Sequence, residues 1–161
     1  MTPEERQERI RKIAVLPAQL EELMQGLAPI QLSARPLEGE WSAAQNVHHL
    51  ADSHMNAYIR LKLLITEERP TFKPYDQNLW AETPDAAHSD VMESIELLRG
   101  LHQRWVRVFQ GISDDEWTRE GIHPEYGRIY TPEEILRIYS GHGEAHIDQI
   151  RRTLAAGGWT V

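Results

Sequence analysis

The sequence contains no cysteine among its 161 residues. This absence excludes disulfide bonds, thiolate ligands for a metal ion and a cysteine nucleophile. A metal ion bound by this protein would need histidine, carboxylate or other oxygen ligands. The lack of cysteine also fits a reducing compartment, and we expect a cytoplasmic protein.

Long apolar runs are absent as well. No stretch approaches the roughly 20 apolar residues that a membrane-spanning helix needs. The N-terminal residues 1–9 are rich in charge, and the apolar segment of a secretory signal does not follow them. We therefore expect neither a signal peptide nor a membrane partner.

Basic residues are too few for a protein that binds nucleic acid. The chain has 17 Lys and Arg residues against 25 Asp and Glu residues, and its formal net charge is −8. Such a charge repels a phosphate backbone at long range. Nucleic acid is therefore not expected as a partner.

Four segments have the apolar period of about 3.6 residues that is typical of amphipathic helices. They cover approximately residues 2–26, 43–67, 85–110 and 131–156. The first and last open with Thr-Pro-Glu-Glu, at residues 2–5 and 131–134, which combines an N-cap, a first-turn proline and first-turn acids. Ser42 and Gln45 form a capping-box pattern before the second.

The length suits a single domain, residues 1–161, and four long helices predict an all-α four-helix bundle. Residues 118–130 contain Pro124 and Gly127 and predict a short hairpin or an irregular loop before the last helix. Residues 70–84 lack a clear long helix but carry aromatic side chains. We expect them to form a loop packed over the bundle, either near a functional site or as a structural strap.

Two histidines stand four positions apart on the predicted last helix. His142 and His146 would lie on one helix face about one turn apart, where both rings can bind a single metal ion. The alternative is a pair of neutral core histidines that are hydrogen-bonded to neighbouring groups. Because two ligands make a weak site, a metal centre would need a third from elsewhere in the chain.

Several short motifs occur in order along the chain. They are Trp41-Ser42, Gln45-Asn46-Val47-His48-His49-Leu50-Ala51-Asp52-Ser53-His54-Met55-Asn56, Lys73-Pro74-Tyr75-Asp76, Trp80-Ala81-Glu82, His123-Pro124, and the pair His142 and His146. In this order they resemble the DinB/YfiT-like superfamily, and in particular its YfiT branch, over nearly the whole chain. The resemblance implies a four-helix bundle that binds one divalent metal ion through three histidines.

The resemblance implies which histidines these are. His142 and His146 correspond to the pair on the fourth helix. The family's third ligand lies eight positions after the motif tryptophan and precedes an aliphatic residue, which corresponds to His49. His48 is the neighbouring alternative, whereas helical periodicity alone favours His54, the histidine closest to the main apolar face.

Three neutral imidazoles with open coordination positions suit zinc, nickel or iron. Asp52 lies one turn from His49 and is a candidate general base or a partner of a ligand, although it could equally be a solvated helix acid. Glu144 should point about 200° away from His142 around the helix, so we expect it at the surface.

The resemblance leaves three functions open. The first is a metal-dependent hydrolase that activates water against an ester, an amide or a similar small-molecule substrate. The second is a transferase that uses a low-molecular-weight thiol of the bacillithiol type as co-substrate. The third is a non-enzymatic stress or binding module that the metal ion braces. Because YfiT-like proteins are often dimers, the resemblance also makes a homodimer plausible, with Trp80 and Trp159 as candidate surface aromatics.

Overall fold

The structure, a computed structural model, describes residues 1–159. Four long helices confirm the expected all-α four-helix bundle, and two short helices occupy the connections between them. The helices are α1 (Pro3–Met24), α2 (Pro29–Ser33), α3 (Ala43–Thr66), α4 (Gln77–Ala81), α5 (Met92–Gly111) and α6 (Pro132–Ala156). Within residues 1–159 none of them is long and apolar enough to cross a membrane.

The expected hairpin before the last helix is present. Strands β1 (Gly121–His123) and β2 (Arg128–Tyr130) pair in antiparallel fashion, with Ile122 opposite Ile129. The segment after α3 joins this hairpin, because the Phe72 N–H donates to the Ile122 carbonyl at 2.9 Å. This contact attaches the connection between α3 and α5 to the hairpin.

The third long helix begins later than its apolar period predicts. We expected it from Asp85, but α5 begins at Met92. The Asp90 carboxylate accepts a hydrogen bond from the Met92 N–H at 3.0 Å, and the Asp90 N–H donates to His88 Nδ1 at 3.1 Å. These local bonds satisfy groups at the helix start, so the residues before Asp90 form turns instead of another helical turn.

The four long helices are arranged in a ring. Helix α1 packs against α5 and α6, and α3 packs against the same two helices. The helices α1 and α3 therefore stand at opposite corners. Close contact between α1 and α6 depends on Gly143, where a Cβ atom would lie only 2.6 Å from Leu16 Cδ2.

The core consists of two apolar clusters with a polar layer between them. The first cluster includes Leu20, Leu50, Leu98 and Ile150, and the second includes Ile13, Leu61, Trp105 and Leu136. Between them lie His54 of α3 and His102 of α5, both fully buried, and the half-buried His142 of α6. The bundle thus carries a layer of histidines near its middle.

The two candidate surface tryptophans, Trp80 and Trp159, differ in their exposure to solvent. Trp80 is 38% exposed, and its ring lies 4.5 Å from that of Tyr75. Trp159 is half-buried against the first apolar cluster, so only part of its ring lies at the surface. Its backbone N–H donates to the Leu154 carbonyl at 3.0 Å, which folds the chain at Trp159 back onto α6. A homodimer stays a prediction.

Candidate metal centre

Three histidines from two helices converge on one point. His49 of α3 and His142 and His146 of α6 each offer a ring nitrogen, and these nitrogens all lie within 4.8 Å of one another. The Nε2 atoms of His142 and His146 are 3.1 Å apart. The i, i+4 spacing on α6 therefore places both rings on the face that meets α3.

Aromatic packing holds this group in place. The Trp41 ring, just before α3, lies 4.7 Å from the His49 ring and stacks on the His146 ring at 6.2 Å. The His49 ring is 5.3 Å from that of His142 and 4.8 Å from that of His146. These ring contacts orient the three histidine side chains.

A chain of hydrogen bonds runs from His142 to the backbone of α1. His142 Nδ1 lies 3.2 Å from His54 Nε2, and His54 Nδ1 lies 2.9 Å from His102 Nε2. His102 Nδ1 lies 2.6 Å from the Ile13 carbonyl oxygen. Every ring nitrogen of His54 and His102 is engaged in this chain.

The Ile13 carbonyl determines the direction of the whole chain. A carbonyl oxygen only accepts, so His102 must donate from Nδ1, and its Nε2 must accept from His54 Nδ1. His54 Nε2 then accepts from His142 Nδ1. With neutral rings, only this set of tautomers satisfies all three bonds, and it leaves a lone pair on His142 Nε2.

His146 reaches the same state by a separate route. Its Nδ1 lies 2.7 Å from Asn46 Oδ1, while Asn46 Nδ2 donates to the Ser42 carbonyl at 2.9 Å. The Asn46 oxygen is therefore an acceptor, and His146 donates from Nδ1. Both Nε2 atoms of the α6 pair consequently present lone pairs to each other at 3.1 Å. Two facing lone pairs repel unless a cation lies between them, so these residues fit a metal ion.

Burial keeps the rings neutral. Desolvation, together with the neighbouring His146, lowers the pKa of His49 to about 3. Burial also lowers the pKa of His146 to about 4. The pKa of His142 lies well below the ordinary value because of burial and the adjacent His146 and His49. Neutral imidazole is the form that binds metal ions, so no proton has to leave at neutral pH.

The two alternative ligands on α3 are engaged elsewhere. His48 Nε2 lies 3.0 Å from the His88 carbonyl oxygen, and its Nδ1 lies 2.8 Å from Ser94 Oγ. The carbonyl requires His48 to donate from Nε2, so its lone pair on Nδ1 accepts from the serine hydroxyl. Both ring nitrogens of His54 are hydrogen-bonded, one to His102 and the other to His142.

The two candidate acids have different environments. Asp52 is half-buried on α3, and burial, followed by the nearby Asp85, raises its pKa to about 6. Glu144 is exposed and forms an ion pair with Lys12 at 2.8 Å, which confirms that it is a surface acid.

Sequence reasoning did not find the residues that support the ligands. His102 was not singled out from the sequence, and His54 was considered only as a competing ligand. Asn46 was part of a motif without a role. The available signal was the coincidence of several polar residues at inward positions of three helices, which a packed core accepts only when they bond to one another.

Comparison with known proteins places these features in a family context. A family model described as the DinB superfamily matches residues 13–150. A Bacillus subtilis protein named "Putative metal-dependent hydrolase YfiT" is 36% identical over 160 residues, covering 99% of this chain and 90% of that protein. An Oceanobacillus iheyensis protein, "Putative metal-dependent hydrolase OB0782", is 41% identical over 150 residues, covering 93% of this chain and 86% of the relative.

Two solved structures share the fold. The structure of Bacillus subtilis YfiT, described as a probable metal-dependent hydrolase with an unusual four-helix bundle topology, superposes with a TM-score of 0.94 at 36% identity. The alignment covers 99% of this chain and 91% of that one. A mycothiol-dependent maleylpyruvate isomerase gives a TM-score of 0.58 at 18% identity, with coverage of 90% and 60%, and this similarity concerns the fold alone.

Proposed function

Because this chain belongs to the DinB superfamily, we propose that it is a metal-dependent hydrolase of a small molecule. The proposed ligands of one divalent cation are His49, His142 and His146. The Bacillus subtilis and Oceanobacillus iheyensis relatives are named putative metal-dependent hydrolases, and we propose the same activity for this chain.

The observation that supports the metal site most strongly is the orientation of the α6 pair. Hydrogen bonds that end at the carbonyls of Ile13 and Ser42 turn the Nε2 lone pairs of His142 and His146 toward each other. A pair of neutral core histidines would be expected to donate to one another or to a neighbouring oxygen. Two nitrogen acceptors held 3.1 Å apart destabilise the core when no cation lies between them, and they stabilise the protein when a cation binds both.

Three neutral imidazoles suit zinc, nickel or iron, and they leave coordination positions for other groups. A divalent cation held by His49, His142 and His146 would polarise a carbonyl oxygen and would lower the pKa of a water molecule to about 7. The protein supplies the fixed ring orientations and a largely desolvated surrounding, which strengthens these electrostatic effects. These properties favour hydrolysis over a purely structural metal site, which is normally closed by a fourth protein ligand.

We assign the role of general base to Asp52. Its pKa of about 6, raised by burial and by Asp85, is closer to neutral pH than that of an ordinary aspartate. A carboxylate with such a pKa is ionised at pH 7 and is a better proton acceptor than a fully solvated one. Its position one turn from His49 keeps it on the same side of α3.

The hydrolase proposal predicts that activity follows the metal content. Protein purified without added metal should contain about one divalent ion per chain by elemental analysis, and it should cleave an activated ester such as 4-nitrophenyl acetate. Chelation should abolish the cleavage, and addition of zinc, nickel or iron(II) should restore it.

Equal turnover by metal-free and metal-loaded protein would contradict the proposal. A metal that raises the melting temperature without supporting any cleavage would favour the braced, non-enzymatic module instead. We do not propose a thiol transferase, because the similarity to the mycothiol-dependent isomerase is confined to the fold.

Asp52→Asn should lower kcat for ester cleavage by about 10²- to 10³-fold, since an amide cannot accept the proton. In the unmodified protein, kcat should rise with pH through about 6 as Asp52 ionises. The variant should lose this rise and keep its metal content. Glu144→Gln is the matched control, because Glu144 is exposed and paired with Lys12. An unchanged pH profile in Asp52→Asn would remove this residue from the mechanism.

A further inference from the structure

A cavity of about 390 Å³ lies beside the proposed metal site. His142 forms part of its wall, and its other walls come from α3, the connection around Tyr75, the β-hairpin and α6. Tyr75, Tyr130 and Tyr139 give it flat, partly apolar surfaces. The volume is in the range of small-molecule sites, and one wall is a proposed ligand.

Two arginines line this cavity, and they differ in their partners. Arg128 forms an ion pair with Glu134 at 2.8 Å. Arg60 is half-buried on α3 and donates to the Lys73 carbonyl at 3.3 Å. Among residues 1–159, no carboxylate lies within ion-pairing distance of Arg60. The Arg60 guanidinium at the cavity therefore lacks a carboxylate partner, although the formal net charge of the protein is −8.

The charge of Arg60 acts on the cavity walls. Burial raises the pKa of Tyr75 to about 12, and Arg60 opposes that rise. Burial likewise raises the pKa of Tyr139, and Arg60 again acts in the opposite direction. The guanidinium thus lies close enough to stabilise negative charge within the cavity. Glu125 also lines the cavity but is exposed to solvent, so it screens the positive charge only in part.

We propose that this cavity binds a carboxylate group of the substrate and that Arg60 recognises its charge. The inference rests on the proposed function, since it describes the substrate of that site. A guanidinium pairs with a carboxylate through two parallel N–H···O bonds. An arginine that lacks a carboxylate partner, in a cavity that Glu125 also lines, suits a monoanion better than a phosphate dianion. The substrate class is therefore a small molecule with one carboxylate and a flat or apolar body.

Benzoate and benzamide test this inference, because they share a shape and differ in charge. In the metal-loaded protein, calorimetric titration should give a Kd for benzoate about fivefold or more below that for benzamide, as expected for a partly desolvated charge pair. Arg60→Met should abolish this preference, and Arg60→Lys should restore part of it. Arg104→Met is the matched control, because Arg104 is exposed on α5 and packs on Tyr58 outside the cavity.

Equal affinities for the two probes in the unmodified protein would overturn the inference. A benzoate preference that survives in Arg60→Met would also overturn it, because another group, such as the metal ion, would then bind the carboxylate. The titration needs no turnover, and it is repeated on chelator-treated protein. A benzoate preference that depends on Arg60, in a protein without metal-dependent cleavage, would support carboxylate binding in the cavity and reject the hydrolase proposal. The inference and the proposed function can therefore fail separately.

Discussion

Replacement of His49 by alanine is expected to lower the affinity for a divalent cation by about 100-fold or more, because it removes one of three direct ligands. The other two ring nitrogens remain on α6, where two ligands form only a weak site. The affinity can be measured by competition with a chromophoric chelator at pH 7.5. Ester cleavage should fall to the level of the metal-free protein, while the helical content should be unchanged by circular dichroism.

The neighbouring histidine provides the matched control. His48→Ala should change the metal affinity by less than about twofold, since both ring nitrogens of His48 are bonded to Ser94 and His88. His54→Ala should give an intermediate loss of about tenfold, because His142 loses the acceptor that orients its ring. The reverse ranking, with His48→Ala the most damaging variant, would show that the assignment of the α3 ligand is wrong.

Acid is expected to unfold the metal-free protein at a pH well above that of ordinary acid denaturation. Burial lowers the pKa of His49 to about 3 and that of His102 and His146 to about 4. Between the ordinary histidine pKa, about 6.5, and these lower values, the unfolded chain binds more protons than the folded chain. The free energy of unfolding therefore falls as the pH falls through this window.

The size of the effect follows from the number of groups. Each such histidine costs about 1.4 kcal/mol per pH unit within its window, so these three together cost about 4 kcal/mol per pH unit. His54 and His142, whose pKa values burial also lowers, act in the same direction. Domains of this kind have a total stability of about 5–15 kcal/mol. Asp52 has the opposite effect on the free energy of unfolding. Because its pKa is raised to about 6, the folded chain binds a proton there between about pH 6 and 4 and gains stability as the pH falls, but Asp52 is a single group. We therefore expect unfolding between about pH 6 and 4.

Urea unfolding followed by circular dichroism at pH 7.5, 6.5 and 5.5 measures this loss in chelator-treated protein. The metal-loaded protein should unfold at a higher urea concentration at every pH, because the cation binds the site assembled in the folded chain and not the unfolded chain. His102→Gln should reduce the slope of the free energy of unfolding against pH by the contribution of one histidine, about 1.4 kcal/mol per pH unit. Equal stability of the metal-free protein at pH 7.5 and 5.5 would refute the prediction.

Local sequence was sufficient for most of the helical scaffold. The capping box of Ser42 and Gln45 and the Thr131 cap occur as expected, because these bonds join residues only three positions apart. The start of α5 was missed for a related reason. There the bonds around Asp90 competed with an apolar period that continued further toward the N-terminus. Periodicity describes which face is buried, whereas the ends of a helix depend on a few specific hydrogen bonds.

By itself, the sequence determined the four amphipathic helices, the stacking of His142 and His146 on one face, the surface position of Glu144 and the absence of cysteine thiols. These features depend on residue type and on spacings within one turn of helix. Helical periodicity could not identify the metal ligand among His48, His49 and His54. All three lie on α3, and they differ in the hydrogen-bond partners that other parts of the chain place beside them. Only tertiary packing brought Ser94 and the His88 carbonyl to His48, and His102 and His142 to His54. The direction of a hydrogen bond is decided by the partner, and here the partners are distant in the chain.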